Sequence, residues 1–490
     1  MEARSEKLTF WQKLGYGVGD FYGGGGGTLI SFFYLVFLTD VIRISPGLAG
    51  TVILVSKIYD AITDPFEGVI SDRTRTRLGR RRPYLLAGIL LVFLSFFLLF
   101  YPASIASETG RFVFVLATYL FYSTVVSIVM LNYSALQAEL TLDYNERTSL
   151  ATFRIFFSTI SSILCAVLPL EIVKAMPDVR TGWTVTAIVF GLLFALPFIA
   201  TVAITRERAE FQKKLRPFNW KQVFIEPFQV RSFVFVLIMY VTAFTAFDAT
   251  QSIVVYYIKT YLGRGDEVSF VLGALLVAQV ISLPVYQWIS KRTSKAATYM
   301  IAAGIFVTVM FLSFLITPVS PAAALYIFSV LVGIGSGGAV IMVYAIFPDI
   351  PDVDELRSGE RREGMYSAMT TFTRKLSSAL AVFAVAQVLQ FAGYIPPVEQ
   401  AGKLIESVQS PAFISALRFF FVLIPIGFIS FGIFFASRFP LTRALYGRLE
   451  VVLASMRTNG RVDEGERQFL LQRLAGNRVI QDKSPVEEQI

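Results

Sequence analysis

The sequence predicts an all-α membrane protein with twelve transmembrane helices. Of its 490 residues, 55% are hydrophobic, 46 are Phe and only 16% are charged, a composition typical of chains that cross a bilayer many times. Apolar segments recur along the chain, each long enough to cross a hydrocarbon core of about 30 Å at about 1.5 Å per residue. The twelve predicted spans lie at about 10–40, 47–71, 83–104, 110–138, 148–174, 182–205, 232–259, 267–289, 297–317, 321–347, 364–392 and 411–437.

The distribution of basic residues predicts the orientation of these spans. Six arginines crowd the connection after the second span, between positions 73 and 82. Basic residues also follow the other even-numbered spans, at Arg147, Arg206–Lys221, Lys291–Lys295 and Arg357–Arg362. Under the positive-inside rule these connections face the cytoplasm, so both termini are cytoplasmic and the chain lies in the cell (inner) membrane. The net charge of +9 is therefore interpreted as a topology signal and not as nucleic-acid binding.

A long charged connection divides the chain into two parts. Ile-Ser-Asp-Arg-Thr at 70–74 recurs as Ile-Ser-Lys-Arg-Thr at 289–293, each after the second span of its part. Parallel halves around a central site are one way in which transporters are built. The predicted units are an N-terminal six-helix bundle (1–205), a cytoplasmic middle loop (206–231), a C-terminal six-helix bundle (232–437) and a cytoplasmic tail (438–490) with an amphipathic stretch near Leu445 to Met456.

Two acids, Asp60 and Asp64, lie four residues apart in the second span. A carboxylate at mid-bilayer depth costs about 3 kcal/mol or more, and this spacing puts both side chains on one helical face. With the hydroxyls of Thr63 and of Ser127 in the fourth span, the pair offers hard oxygen ligands for a small cation, or it shares a proton. The alternative is a structural ion-pair network in which Lys57 neutralises one acid.

The absence of two residue types limits the chemistry of the chain. Histidine is absent, which removes the commonest metal ligand and the usual proton carrier near neutral pH. Cys165 is the only cysteine, so a disulfide within one chain is excluded. Any coupling to protons or cations must therefore use carboxylates, and no cofactor is predicted.

Further charged residues lie in other spans. Asp20 stands within a glycine-rich stretch, and glycines let a ligand or a neighbouring helix come close. Arg154 and Lys375 carry positive charge in the fifth and eleventh spans, and Asp248 adds an acid in the seventh. Opposite charges across a cavity can exchange partners between two states of a transporter. The alternatives are that the glycines serve helix packing and that Arg154 reaches the membrane surface.

Two more charged residues, Glu67 and Arg374, lie near predicted span boundaries and are assigned no role. Aromatic side chains that could line a solute site include Tyr16, Tyr119, Tyr122, Tyr133, Tyr256 and Tyr344. Sugar sites combine such aromatic platforms with convergent polar groups.

Four segments together resemble the glycoside-pentoside-hexuronide:cation symporter family, including its melibiose permease-like members. The segments are LGYGVGDFYG, KIYDAITDPFEGVISDRTRTRLGRRRPYLL, NYSALQAELTLDYNERTSLATFRIFF and PDIPDVDELRSGERREGMYSAMTTFTRKLSSAL. The resemblance covers about residues 10–437. It implies a major facilitator fold of two six-helix halves and the coupling of solute uptake to the entry of sodium or protons.

The resemblance also implies roles for single residues. Those that match the cation ligands of the melibiose branch are Asp60, Thr63, Asp64 and Ser127, of which the two aspartates would be the main sodium ligands. Lys375 matches the coupling lysine, and we add Lys57 and Asp248 to the predicted coupling set from their charge and position.

The predicted solute-binding residues are Asp20, Arg154, Met130 and Tyr16, of which Asp20 and Arg154 match sugar-binding positions. Met130 stands where the melibiose branch has a second sugar-binding aspartate, and Ser134 stands where it has a stacking tryptophan. The resemblance extends to a sodium-dependent lysophospholipid branch, in which the sugar aspartate is also lacking.

The sequence therefore predicts a secondary active transporter and not an enzyme. We expect cation-coupled symport of a sugar or glycoside, with lysophospholipid transport as the alternative and a non-transporting sensor as a third. The chain shows no Gly-X-Ser-X-Gly element and no metal-ligand spacing of His, Cys and carboxylates. The expected partners are the solute and the lipid bilayer, and a monomer is sufficient to form the pathway.

Overall fold

The computed structural model describes residues 7–141, 143–207, 225–360, 362–400, 402–458 and 463–476. Most of the predicted middle loop and part of the predicted tail lie outside these residues. Within them the chain is helical, apart from one short hairpin. The helices are α1 (Phe10–Gly17), α2 (Gly27–Leu29), α3 (Pro46–Arg73), α4 (Arg82–Leu99), α5 (Glu108–Leu140), α6 (Tyr144–Ala175), α7 (Val179–Ala195), α8 (Pro197–Ile204), α9 (Arg231–Tyr256), α10 (Val268–Arg292), α11 (Lys295–Leu312), α12 (Ala322–Ile346), α13 (Ile350–Ser358), α14 (Glu363–Ala392), α15 (Pro411–Ser437), α16 (Arg443–Arg457) and α17 (Glu464–Leu470).

Ten helical segments of the described chain are long and apolar enough to cross a membrane. Two predicted spans are not among them. The segment predicted at 10–40 is divided into α1, α2 and π-helical pieces, and α3 is long enough but carries Lys57, Asp60 and Asp64 among its apolar residues. Charge and irregular winding therefore separate these two segments from the other ten.

Close packing explains the irregular first segment. A π-helical stretch, Tyr22–Gly26, contains the glycine run. A Cβ atom on Gly24 would lie 2.5 Å from the backbone oxygen of Ser158 in α6, so no side chain fits there. At Gly23 a Cβ would lie 2.5 Å from Asp20 Oδ1 and 2.6 Å from Met130 Cε. Gly24 thus allows close helix packing, and Gly23 leaves space for the side chain of Asp20.

The helices form two groups that pack mainly within themselves. In the first helical group (residues 10–204), α3, α4 and α5 pack together and α6 lies against α1 and α7. In the second helical group (residues 231–437), α9 contacts α14 and α15, and α12 contacts α10 and α11. Among the described elements, the most extensive packings between the groups are those of α3 with α14, α6 with α10, and the π-helical Ile30–Tyr34 with α9.

A β-hairpin interrupts the otherwise helical chain between α14 and α15. Strands β1 (Val398–Gln400) and β2 (Lys403–Ile405) pair antiparallel. The backbone N–H of Val179 donates to the oxygen of Gly402 at 2.9 Å, so the hairpin reaches the first helical group. The all-α prediction did not include this hairpin, because strands of three residues carry almost no periodic signal.

The C-terminal helices dock on the second helical group. Helix α16 includes the predicted amphipathic stretch, and its buried side consists of Leu449, Val452 and Leu453. The hydroxyl of Tyr446 donates to Asp352 at 3.0 Å in α13. Burial and the neighbouring Asp352 raise the pKa of Tyr446, so this hydroxyl stays protonated and remains a donor.

Candidate functional site

Two acids of α3 face two serines of α5. The Ser123 hydroxyl donates to Asp60 Oδ1, and the Ser127 hydroxyl donates to Asp64 Oδ1 at 2.8 Å. The two acids are four residues apart and so are the two serines, so one face of α3 matches one face of α5. Asp60 is buried, whereas the side chain of Asp64 is 29% exposed. The result is a row of four oxygen-bearing side chains between two helices.

Lys375 of α14 joins this row from the other helical group. Its Nζ lies 2.6 Å from Asp64 Oδ2 and 3.8 Å from Asp60 Oδ2, and it donates to Ser127 at 3.1 Å. Lys57 lies 3.1 Å from the same oxygen of Asp60. The ammonium of Lys375 therefore lies among the carboxylate and hydroxyl oxygens that a bound cation would need.

The remaining predicted cation ligand has a different local partner. The Thr63 hydroxyl donates to the backbone oxygen of Tyr59 at 3.1 Å, within its own helix. Ser123 was not predicted, although its position one helical turn before Ser127 matches the spacing of the two acids. Glu67 lies one turn beyond Asp64, and its Oε2 is buried without a hydrogen bond in the described part of the chain.

A second cluster forms around Asp20 within the first helical group. Arg154 Nε lies 3.2 Å from Asp20 Oδ1, and the guanidinium also donates to Gln137 at 3.1 Å and to Ser134 at 3.2 Å. Arg154 lies 4.9 Å from the centre of the Tyr133 ring. This Asp20 oxygen is buried, and its contact with Arg154 is an ion pair that lacks good hydrogen-bond geometry.

Tyr16 lies behind this cluster. Its ring is fully buried and stacks on Tyr133 at 4.6 Å between centroids. Each hydroxyl donates to the backbone oxygen of the other tyrosine, at 2.9 Å and 2.7 Å. In this conformation Tyr16 supports Tyr133 and has no open surface for a solute, whereas Met130 lies beside Asp20 at Gly23.

In the structure Asp248 pairs with Arg374, a residue for which the sequence predicted no role. Arg374 binds both carboxylate oxygens of Asp248, with 2.9 Å between Nη2 and Oδ1. The guanidinium lies 4.2 Å from the centre of the Phe244 ring. Asp248 is buried in α9, and Arg374 lies in α14 next to Lys375. Only the fold could identify this pair, because its members are far apart in the chain.

A third polar cluster joins the two groups near the hairpin. Asp40 is buried and accepts from Lys259 at 3.0 Å, from Tyr394 at 2.8 Å and from Thr39 at 2.8 Å. Lys259 also lies 2.6 Å from Glu406. Burial, with Asp40 as a further cause, raises the pKa of Tyr394 and keeps its hydroxyl protonated. A cavity of about 900 Å³ lies beside this cluster and is lined by Asp40, Lys259 and Glu406.

Known proteins resemble the chain along nearly its whole length. Residues 15–443 match the family model described as MFS/sugar transport protein. An uncharacterized symporter of Synechocystis sp. is 27% identical over 94% of this chain and 99% of its own. The isoprimeverose transporter of Lactiplantibacillus pentosus is 24% identical over 81% and 84% of the two chains. The sodium-dependent lysophosphatidylcholine symporter 1-A of Danio rerio is 24% identical over 90% and 87%.

The fold also matches a solved transporter. The crystal structure of the nucleoside transporter NupG has a TM-score of 0.58, covering 88% of this chain and 98% of that chain at 12% sequence identity. That identity supports a shared fold and no more. Together with the family match over most of the chain, it identifies a multi-span membrane transporter. The chain belongs to the MFS/sugar transport protein family of symporters within the major facilitator superfamily.

Proposed function

We propose that the protein couples the entry of sodium or protons to the uptake of a sugar or glycoside by alternating access. The observation that carries this proposal is the position of Lys375, whose ammonium lies 2.6 Å from Asp64 and comes from the opposite helical group. A lysine in a row of cation ligands acts as an internal substitute for the cation. It keeps the acid pair neutralised when no cation is bound.

The proposed cycle follows from that substitution. The cation would be held by Asp60, Asp64 and Ser127, with Ser123 beside them. Thr63 would join these ligands once its hydroxyl left the Tyr59 backbone oxygen of its own helix. Cation binding displaces Lys375 and removes a bond that joins the two groups. Lys57 stays with Asp60. The groups then separate at one end only when a solute is also bound.

The proposed solute site begins with Asp20 and Arg154. Asp20 supplies a carboxylate that is ion-paired with Arg154, and the partly exposed guanidinium of Arg154 offers further N–H donors. A carboxylate beside a guanidinium suits a sugar, whose hydroxyls need both acceptors and donors. Met130 would border the solute, and the buried Tyr16–Tyr133 stack would hold Arg154 in position.

A lysophospholipid is the second candidate solute. The observation that favours it is the Met130 side chain beside Asp20, because a thioether suits an acyl chain better than a hydroxyl. One relative is named as a sodium-dependent lysophosphatidylcholine symporter.

We further propose the architecture that such a cycle needs. Counting α3 and the divided first segment gives twelve spans, arranged as domains at 1–205 and 232–437 that rock around the site, with the loop at 206–231 and the tail at 438–490. The arginine-rich connections and both termini face the cytoplasm in this proposal, in the cell (inner) membrane. A monomer suffices, since each cluster is built from one chain.

Asp64→Asn tests the cation site directly. In vesicles that contain the purified protein, a sodium or proton gradient should drive accumulation of a radiolabelled glycoside in the wild type. Loss of the Asp64 charge should reduce accumulation to background, while solute exchange without a gradient persists. Thr51→Ser, a change elsewhere on α3 that keeps the hydroxyl bonded to the Gly47 backbone oxygen, is the control. Gradient-driven accumulation by Asp64→Asn at the wild-type level would contradict the cation assignment.

A further inference from the structure

Asp–Arg pairs occur in corresponding places of the two helical groups. In each group the acid belongs to the first helical segment, and the arginine lies about three turns into a later long helix, α6 or α14. Each guanidinium lies over an aromatic ring, at 4.9 Å for Arg154 and 4.2 Å for Arg374. The second pair, Asp248–Arg374, therefore reproduces the chemistry of the first.

The second pair presents its arginine and hides its acid. The side chain of Asp248 is 3% exposed, whereas that of Arg374 is 27% exposed. Both carboxylate oxygens contact the guanidinium. An arginine has five N–H donors in a fixed plane, so this two-point contact leaves others available. The pair is thus built to offer donors to an adjacent molecule.

The pair does not suit a coupling role. Asp248 and Arg374 both belong to the second helical group, on α9 and α14, which pack against each other. A bond within one group does not break when the two groups rock. Lys375, the next residue, contacts Asp64 in the first group, and that contact does break. The adjacent residues Arg374 and Lys375 of α14 therefore contact acids in different helical groups.

An aromatic cluster lies beside the pair. The ring centroids are 4.7 Å apart for Tyr240 and Phe244, 5.7 Å for Tyr240 and Tyr344, and 5.6 Å for Phe244 and Tyr344. Tyr240 and Phe244 are buried, whereas Tyr344 is 50% exposed. The exposed Tyr344 ring thus contacts Phe244, the ring that lies under the Arg374 guanidinium. An apolar face and N–H donors this close together are a combination that binds sugar rings.

We propose that Asp248, Arg374 and Tyr344 form a second solute half-site, which complements the Asp20–Arg154 half-site. This inference rests on the proposed symport function and assigns Asp248 to solute binding instead of coupling. The two pairs approach the same junction of the groups, because Lys375, next to Arg374, donates to Ser127 of α5, and Met130, one turn beyond Ser127, lies beside Asp20. A site with polar groups in both helical groups suits a solute with hydrogen-bonding groups at both ends. A glycoside meets that requirement, and a lysophospholipid, which has one polar end, does not.

Arg374→Lys tests the half-site, because it keeps the charge beside Asp248 and loses the planar fork. The probes are the nitrophenyl glycosides of galactose, glucose and xylose, and palmitoyl lysophosphatidylcholine. Each is titrated into purified protein in sodium and in potassium, and thermal stabilisation is measured. For any glycoside that stabilises the wild type, affinity should fall about tenfold or more in Arg374→Lys. Stabilisation by sodium alone should not change.

Two further variants separate solute binding from a structural role. Arg457→Lys changes another arginine that contacts a carboxylate, Glu355, at 2.8 Å, and should leave glycoside affinity unchanged. The exchanged double variant D248R/R374D restores an ion pair with its direction reversed. It should regain thermal stability relative to D248R alone without regaining glycoside affinity.

The outcomes distinguish this inference from the proposed function. Unchanged glycoside affinity in Arg374→Lys, or full affinity in D248R/R374D, would overturn the half-site while leaving symport intact. A sodium-dependent response to lysophosphatidylcholine alone would also overturn it. A wild type that responds to no probe, with or without sodium, would remove the proposed function on which it rests.

Discussion

The two ends of the molecule are held together in different ways. At the end near the hairpin, polar contacts join the first and second helical groups: Asp40–Lys259, Asp40–Tyr394, Gly47–Gln390, Arg180–Glu399 and Val179–Gly402. At the arginine-rich end, which contains the connection at 73–82, four ion pairs of the described residues each lie within one part: Arg80–Glu139, Lys13–Glu146, Asp354–Arg362 and Lys295–Asp349. The proposed alternating access would therefore have to break the contacts at the hairpin end.

The strength of those bonds differs with burial. Asp40 is 1% exposed and has three hydrogen-bonded partners, whereas Arg180 and Glu399 are 33% and 28% exposed. Breaking a buried pair leaves a charge without water, which costs several kcal/mol, whereas an exposed pair contributes about 0–1 kcal/mol. The central Lys375 contact lies between the two ends and joins both groups, so we expect it to have the largest effect.

Lys375→Ala should produce the largest change. It removes the mid-depth contact and leaves Asp64 without its ammonium partner, so cation movement should no longer require solute. We expect cation leak without solute to rise about tenfold or more, and the fixed ratio of the two fluxes to be lost. Both fluxes are measured in the same vesicles. Lys295→Gln, which loses a contact within one group, is the control. A constant flux ratio in Lys375→Ala would make this lysine structural.

Asp40→Asn should open the hairpin end. The amide cannot match the charged contact with Lys259, so the state that is open at this end becomes more populated. The reporter is Val36→Cys, at the lining of the adjacent cavity, in a Cys165→Ser background. Labelling by an impermeant maleimide should become about tenfold faster. Asp349→Asn, at the arginine-rich end, should leave the rate unchanged, and equal rates in both variants would contradict the difference between the ends.

Glu207→Gln should lower stability without altering closure. Its carboxylate accepts from the backbone N–H groups of Arg81 at 2.7 Å and Arg82 at 2.8 Å, where α4 begins. A charged acceptor at a helix N-terminus contributes about 1–3 kcal/mol. We expect the Tm to fall by a few degrees. Labelling of Val36→Cys should not change, and faster labelling would show that this contact also affects the hairpin end.

Arg180→Gln should have the smallest effect. The Arg180–Glu399 pair joins the hairpin to the first helical group but is partly exposed, so its loss costs about 0–1 kcal/mol. The other contacts of Arg180, with Pro102 and Ser104, lie within the first helical group and do not join the two groups. We expect Val36→Cys labelling to rise about fivefold at most. Thr181→Ala, one residue further along α7, is the matched control. An effect as large as that of Asp40→Asn would mean that the hairpin, and not the buried acid, keeps this end closed.

Much of the central site could be predicted from local spacing. Asp60 and Asp64 had to share a face of α3, because i and i+4 side chains always do. Lys57 was expected near Asp60 for the same reason, and their 3.1 Å contact agrees with that expectation. The apolar composition also made a membrane protein the predicted class, since buried carboxylates within it are costly and rarely without function.

The sequence by itself determined the membrane class of the chain and the acid pair on one helix, since both follow from composition and from helical periodicity. Only the tertiary structure decided which base meets which acid. Lys375 reaches Asp64 while its neighbour Arg374 reaches Asp248, and Asp40 meets Lys259 at the closed end. Such pairings depend on the register of helices far apart in the chain and on which end is closed. Local spacing contains no information about either.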